Sequence, residues 1–319
     1  DVIRNFPSQV EDAIKIGRNC SIIQSSEANR WVIVGIGGSA IAGDLLQTFF
    51  RNSQFEQINI SVNRNYDMLI KIDYQTNVVI SSYSGNTEET LEAYTKVKEK
   101  TQRIIGITSG GKLEELLQRD GFPVVKIPDG YQPRAAIGYS FFSLLLMILR
   151  SKFNNKIPEN IEDLLGELVA LLKKSSKKYA AIGEDNPAIV FAQENFGKMF
   201  VIYGCEETLY PLALRFRAQL QENAKNLAFS HYIPEMNHNE INSYEFPPDL
   251  LNRVVVVLLS DRNDYPRNKM RIEATEQILS KKVKVVKFQS SATSFLARLF
   301  DLLYFFDWCS FYLAIHNGV

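Results

Sequence analysis

The sequence has 319 residues, 45% apolar and 23% charged, which is enough for about two soluble domains with sizeable cores. Its 36 basic and 36 acidic side chains cancel, which argues against recruitment by bulk charge to nucleic acid or an anionic membrane, so an anionic ligand would need a local site. Cys20, Cys205 and Cys309 are few, odd in number and far apart, which argues against a disulfide framework or CxxC metal chemistry and predicts a reducing, cytoplasmic setting.

The N-terminal segment DVIRNFPSQVEDAIKIG is amphipathic and charged and does not read as a secretory signal; because it starts at Asp1, a missing or processed start is expected. Five short β-branched runs follow: WVIVGIG from Trp31, INISV from Ile58, NVVISSY from Asn77, RIIGITS from Arg103 and PVVKIP from Pro123. Their nearly continuous hydrophobicity predicts parallel strands buried on both faces. Helical patterns lie between them, in IAGDLLQTFF, TEETLEAYTKVKEK and KLEELLQRD. Alternation at this spacing predicts βαβ units and a doubly wound sheet.

A polar helical connector between Ser151 and Asn186 separates this half from a second that repeats its rhythm. MFVIYGC from Met199 answers the first strand, RVVVVLLSD from Arg253 answers NVVISSY, and KVKVVKFQS from Lys282 answers RIIGITS. The expected fold is therefore α/β, with two doubly wound parallel-sheet domains, 1–150 and 151–319, related by duplication, plus a C-terminal helix. The apolar run Ala292–Ala314 supplies that helix; Arg298, Asp301 and Asp307 within it favour burial in protein over a membrane span.

Four motifs carry chemistry. The turn Gly35-Ile36-Gly37-Gly38-Ser39 joins a buried strand to a helix, where glycines permit close approach of a ligand to free N–H groups. It also fits the dinucleotide fingerprint, but Asn63, Arg64 and Asn65 follow the next strand where a ribose-binding acid is needed; a turn serving only tight packing is a third reading. In Ser81-Ser82-Tyr83-Ser84-Gly85-Asn86-Thr87, the hydroxyls of Ser82, Ser84 and Thr87 cluster at a helix start and form a phosphate site that needs no lysine. Asn86 is the expected N-cap, with Glu89 closing a capping box; capping explains one hydroxyl and not three.

Arg134, after Pro133, sits near a helix start, where a cation opposes the dipole; it serves either an anionic intermediate or only the surface. Glu222 ends a helical pattern and His238 lies in the polar loop PEMNHNEINSYE. Carboxylate and imidazole suit proton abstraction beside a carbonyl and exchange with a sugar oxygen, yet type and spacing alone leave both as surface residues.

GIGGSAIAGDLL, SSYSGNTEETLEAY, TSGGKLEEL, QPRAAIGYS, QLQENAKN and MNHNEI together resemble, in order, the landmarks of the archaeal and bacterial bifunctional phosphoglucose/phosphomannose isomerases, built from two sugar isomerase (SIS, flavodoxin-like) domains. The resemblance covers the chain from Asn5 onward. It implies a homodimeric aldose–ketose isomerase that takes a small sugar phosphate through an enediol, with no metal or nucleotide cofactor and no nucleic-acid or membrane partner. It implies a phosphate held by Gly38, Ser39, Ser82, Ser84 and Thr87, a base at Glu222, a ring-opening His238 supplied across the dimer, and an enediolate partner at Arg134. Family members continue past an AIHNGV-like end into a segment with a threonine linked to mannose 6-phosphate and a helix with a ring-opening lysine; such a tail is expected beyond Val319. The rival readings are a sugar-phosphate sensor without turnover, which would not need Arg134, Glu222 and His238, and an NAD-dependent dehydrogenase.

Overall fold

The computed structural model describes residues 1–23 and 29–319. It forms two compact units, Asp1–Val169 and Ala170–Val319. Unit 1 opens with α1 (Phe6–Asn19) and alternates through β1 (Arg30–Val34), α2 (Gly38–Arg51), β2 (Asn59–Asn63), β3 (Asn77–Ser81), α3 (Glu88–Val97), β4 (Ile104–Thr108), α4 (Gly111–Arg119) and β5 (Val124–Lys126). A 3₁₀ turn at Pro133–Ala135 leads into α5 (Ile137–Lys152), followed by α6 (Glu159–Ala180).

The strands pair in parallel in the order β2-β1-β3-β4-β5. This is the flavodoxin-like order, in which the winding reverses between β1 and β3 and opens a crevice beyond their carboxyl ends. Residues 31–34 of β1 and all of β3 and β4 are buried, as their continuous apolar runs require. Helix α5 is buried almost throughout and packs on α1 and α2, which explains why it is apolar on every face.

Unit 2 contains α7 (Pro187–Glu194), β6 (Met199–Cys205), α8 (Tyr210–Glu222), β7 (Ala228–Ile233), α9 (Pro248–Leu251), β8 (Val254–Leu259), α10 (Pro266–Leu279), β9 (Lys284–Phe288) and α11 (Phe295–Asn317). Its parallel order, β7-β6-β8-β9, repeats the first four strands of unit 1 and bears out the duplicated architecture. The C-terminal helix is buried as expected, and no helix among the described residues is long and apolar enough to cross a membrane.

Each charge within α11 has a partner. The Arg298 guanidinium binds both oxygens of Asp261 at 2.7 and 2.9 Å, Asp301 accepts from Ser290, and Asp307 accepts from Arg215 at 2.7 Å and Gln219 at 2.8 Å. The Asp307 contacts fix α8, the helix that ends at Glu222, to α11. Asp307→Ala removes the buried carboxylate to which Arg215 and Gln219 donate and is expected to destabilise the protein by about 3–5 kcal/mol. Urea unfolding measures this; a loss below about 1 kcal/mol would mean that the pair does not secure α8.

The structure differs from the sequence reading at three points. The unit boundary falls inside α6, between Val169 and Ala170, and not between Arg150 and Ser151. The reason is that α6 begins attached to unit 1, through the Glu162 pair with Arg18 of α1, and ends in unit 2, where Tyr179 packs on Tyr304 and Phe305. Strand β7 went unpredicted because it is an edge strand, exposed or half-exposed between its buried ends, with Ser230 and His231 in its middle. Asn86 is not the cap of α3: Thr87 holds that position, without a side-chain cap hydrogen bond, and Asn86 Oδ1 instead accepts from Lys112 N at 3.1 Å in α4.

Candidate functional site

In unit 1 the two hydroxyl-bearing loops leave the carboxyl ends of β1 and β3, the two sides of the switch point. Ser39, in the first turn of α2, is buried, and its Oγ accepts from Tyr83 N at 3.1 Å, which leaves the hydroxyl proton to donate. Its carbonyl accepts from Ser81 Oγ at 3.0 Å, so the loops are tied directly to one another. Ser82 Oγ lies 2.8 Å from Thr87 Oγ1, and the exposed Ser84 accepts from Asn86 N at 3.2 Å. The Thr87 hydroxyl therefore faces Ser82 and not the amides of α3, and neither α2 nor α3 has a side-chain cap. Uncapped amides beside three convergent hydroxyls suit a phosphate group.

Two glycines set this geometry. Gly85, at φ +69°, passes so near Gly110 that a Cβ would lie 1.7 Å from that carbonyl oxygen. A Cβ on Gly38 would lie 2.8 Å from Pro133 O and 3.1 Å from Arg134 N, so the start of α2 touches the 3₁₀ turn that carries the half-buried Arg134. The structure thus gathers Gly38, Ser39, Ser82, Thr87 and the backbone of Arg134 at one end of one sheet. Arg64, where a ribose acid would be needed, pairs with Asp44 at the other side of the first loop.

Glu222 and His238 belong to unit 2, at opposite ends of its sheet. Helix α8 starts beside the carboxyl end of β6, where a Cβ on Gly204 would lie 2.8 Å from Leu209 C, and runs back to Glu222. There Gln221 donates to Ala228 O, and Asn226 donates to Lys198 O, at the amino ends of β7 and β6. His238 closes a 3₁₀ turn beyond the carboxyl end of β7. The six residues of β7 separate the two by roughly 20 Å.

The His238 turn is tightly anchored. Asn237 donates to Thr275 Oγ1 at 2.8 Å, and Glu240 accepts from Tyr203 Oη at 2.8 Å, which in turn meets Tyr244 Oη at 2.8 Å. His231 Nδ1 lies 2.7 Å from the other Glu240 oxygen, without hydrogen-bond alignment. Burial pushes the Tyr203 hydroxyl far up and that of Tyr244 up to about 12, so both are neutral donors.

The switch point of unit 2 is built differently. Between β6 and β8, Glu207 accepts from Tyr265 N and Asn268, and Asp264 accepts from Asp261 N and Thr208. Cys205, Glu207 and Asp264 bring donor atoms within 4.8 Å of one another, a cluster invisible in the sequence spacing. Burial raises both the Cys205 thiol and the Asp264 carboxyl. These acids already serve local donors, so the switch point of unit 2 does not repeat the hydroxyl arrangement of unit 1.

Sequence patterns also pass over two residues beside the 3₁₀ turn. Tyr83 lies unremarked between two serines, and Gln9 is a single buried polar residue in α1 with no motif around it.

Residues 184–319 match the bacterial phospho-glucose isomerase C-terminal SIS domain family, and residues 25–120 match the SIS domain family. A bifunctional phosphoglucose/phosphomannose isomerase of Caldicellulosiruptor bescii is 39% identical over 98% of this chain and 91% of its own length. One from Thermoplasma volcanium is 32% identical over 90% of this chain and 86% of its own. Among solved structures, tagatose-6-phosphate ketose/aldose isomerase from Escherichia coli superposes with a TM-score of 0.70 at 16% identity, covering 99% of this chain and 92% of that one.

Proposed function

Because the chain belongs to the bifunctional phosphoglucose/phosphomannose isomerase family and is an aldose–ketose isomerase, we propose how its residues divide the reaction between them. The substrates are glucose 6-phosphate and mannose 6-phosphate, each interconverted with fructose 6-phosphate through a cis-enediol. The observation that carries the site assignment is the convergence of Ser39, Ser82, Thr87 and uncapped helix amides at the unit 1 switch point, in contact with the Arg134 turn.

Gly38, Ser39, Ser82, Ser84 and Thr87 bind the substrate phosphate through amides and hydroxyls, neutral donors that hold it without a lysine. His238 opens the ring by moving a proton between the ring oxygen and the anomeric hydroxyl. Glu222 takes the C2 proton of the open aldose, a proton passes from O2 to O1 of the enediolate, and Glu222 returns its proton to C1, which leaves the ketose. The enediolate formed between those transfers carries its charge on O1 and O2, and the Arg134 guanidinium stabilises it there.

Glu222 and His238 lie at opposite ends of the unit 2 sheet, which supports a homodimer in which His238 comes from the second chain. Three cysteines without disulfides support a cytoplasmic setting.

The test is turnover of fructose 6-phosphate by the purified protein, following glucose 6-phosphate and mannose 6-phosphate together without added metal or nucleotide. Both products are expected. Glucose 6-phosphate alone would remove the mannose activity, and tight binding of fructose 6-phosphate without turnover would replace the enzyme with a sensor.

A further inference from the structure

Arg134 lies in a segment tied down at four backbone points by two buried side chains. Tyr83, 8% exposed, donates its hydroxyl to Pro128 O at 2.9 Å and accepts from Tyr131 N at 2.9 Å. Gln9, 3% exposed, donates to Ala135 O at 2.9 Å and accepts from Gly138 N at 2.8 Å. One side chain holds the segment just before the 3₁₀ turn at Pro133–Ala135, and the other holds its end and the start of α5. The turn itself closes with Ala135 N on Gln132 O at 2.8 Å and abuts Gly38.

Tyr83 is also fixed from the anion loop. Its N–H donates to Ser39 Oγ, and its carbonyl accepts from Ser109 N at 2.9 Å and Ser109 Oγ at 2.7 Å. The residue between Ser82 and Ser84 is therefore a rigid strut from the phosphate loop to the arginine loop. Burial raises its hydroxyl above the ordinary tyrosine range, so it remains a protonated donor at neutral pH. Buried side chains that bond only to backbone gain little from their own bonds; what they fix is the path of that backbone.

We infer that Tyr83 and Gln9 are positioning residues for the reaction: they bracket the 3₁₀ turn so that the Arg134 guanidinium is held at the developing enediolate relative to a phosphate fixed by the same loop. The inference rests on the role given to Arg134 above. A guanidinium displaced by about 1 Å from developing charge loses much of its effect on the transition state while ground-state phosphate contacts survive.

The experiment is a double-mutant cycle between Tyr83→Phe and Arg134→Gln, repeated with Gln9→Met, reading kcat, KM and inhibition by two probes. One probe is inorganic phosphate; the other is a five-carbon aldonic acid phosphate, whose carboxylate imitates the enediolate. Tyr83→Phe is expected to lower kcat about tenfold, to change KM and phosphate inhibition less than about twofold, and to weaken the aldonate about tenfold. In the Arg134→Gln background the Tyr83→Phe effect on kcat should vanish, because the residue acts through the arginine. Gln9→Met keeps the volume of the side chain and should follow the same pattern, so misfolding of one variant does not decide the outcome.

If Arg134→Gln is nearly silent, the role of Arg134 itself falls. If Arg134→Gln is severe and the Tyr83→Phe and Gln9→Met effects multiply with it unchanged, the bracket is structural and this inference falls alone. Equal weakening of both probes would also overturn it, as damage to the phosphate loop.

Discussion

Glu222→Gln should lower kcat for isomerisation by about 10³–10⁴-fold with KM almost unchanged, because the amide keeps the shape of the side chain and cannot accept a proton. The turn that places Glu222 should persist. Glu222 is exposed at the end of α8, and the turn that places it is held by its neighbours: Asn223 donates to Ser310 Oγ at 2.9 Å, Asn317 to Ala224 O at 2.7 Å, and Lys225 Nζ to the Glu222 carbonyl at 2.8 Å. None of these contacts uses the carboxylate. The measurement pairs steady-state rates with incorporation of solvent deuterium at C2 of the aldose. A base shared between C1 and C2 predicts that turnover and exchange disappear together. Exchange that persists in the variant would give the proton to another group and remove Glu222 from the role.

How much of this could be seen before the fold depends on what each signal requires. β1, β3, β6 and β8 were legible because strands covered on both faces must be apolar almost without interruption. β7 was not, because an edge strand with half-exposed Ser230, His231 and Tyr232 lacks that run. The hydroxyl cluster after β3 was visible because hydroxyls repeated around a glycine exceed what a helix cap requires. The choice of Asn86 as that cap failed for the same local reason: no rule about neighbours in sequence reveals that Lys112 N waits 3.1 Å away at the start of another helix. Glu222 and His238 carried meaning only through resemblance, since their chemistry depends on the end of a sheet at which each is placed. Gln9 gave no signal at all, although it holds two backbone groups beside Arg134.

The opposite placement of Glu222 and His238 in unit 2 leads to the second large effect. If each active site takes its base from one chain and its ring-opening histidine from the other, two inactive proteins should restore activity to one another. Glu222→Gln alone and His238→Gln alone each spoil both sites of a symmetric homodimer. A mixed dimer has one site with both substitutions and one site with neither. Random exchange of chains makes half of the dimers mixed, and half of their sites are intact, so activity should recover to about one quarter of wild type. His238 lies on a turn held by Asn237 and Glu240, and its own ring is exposed, so its replacement should leave that turn in place. The two variants are mixed, dissociated and reassociated, and assayed with a ring-closed aldose phosphate. Recovery shows that the two residues serve one site from different chains. If the dimer exchanges chains and the mixture stays inactive, both residues act from the same chain, and the roughly 20 Å along β7 would have to be closed by some other arrangement.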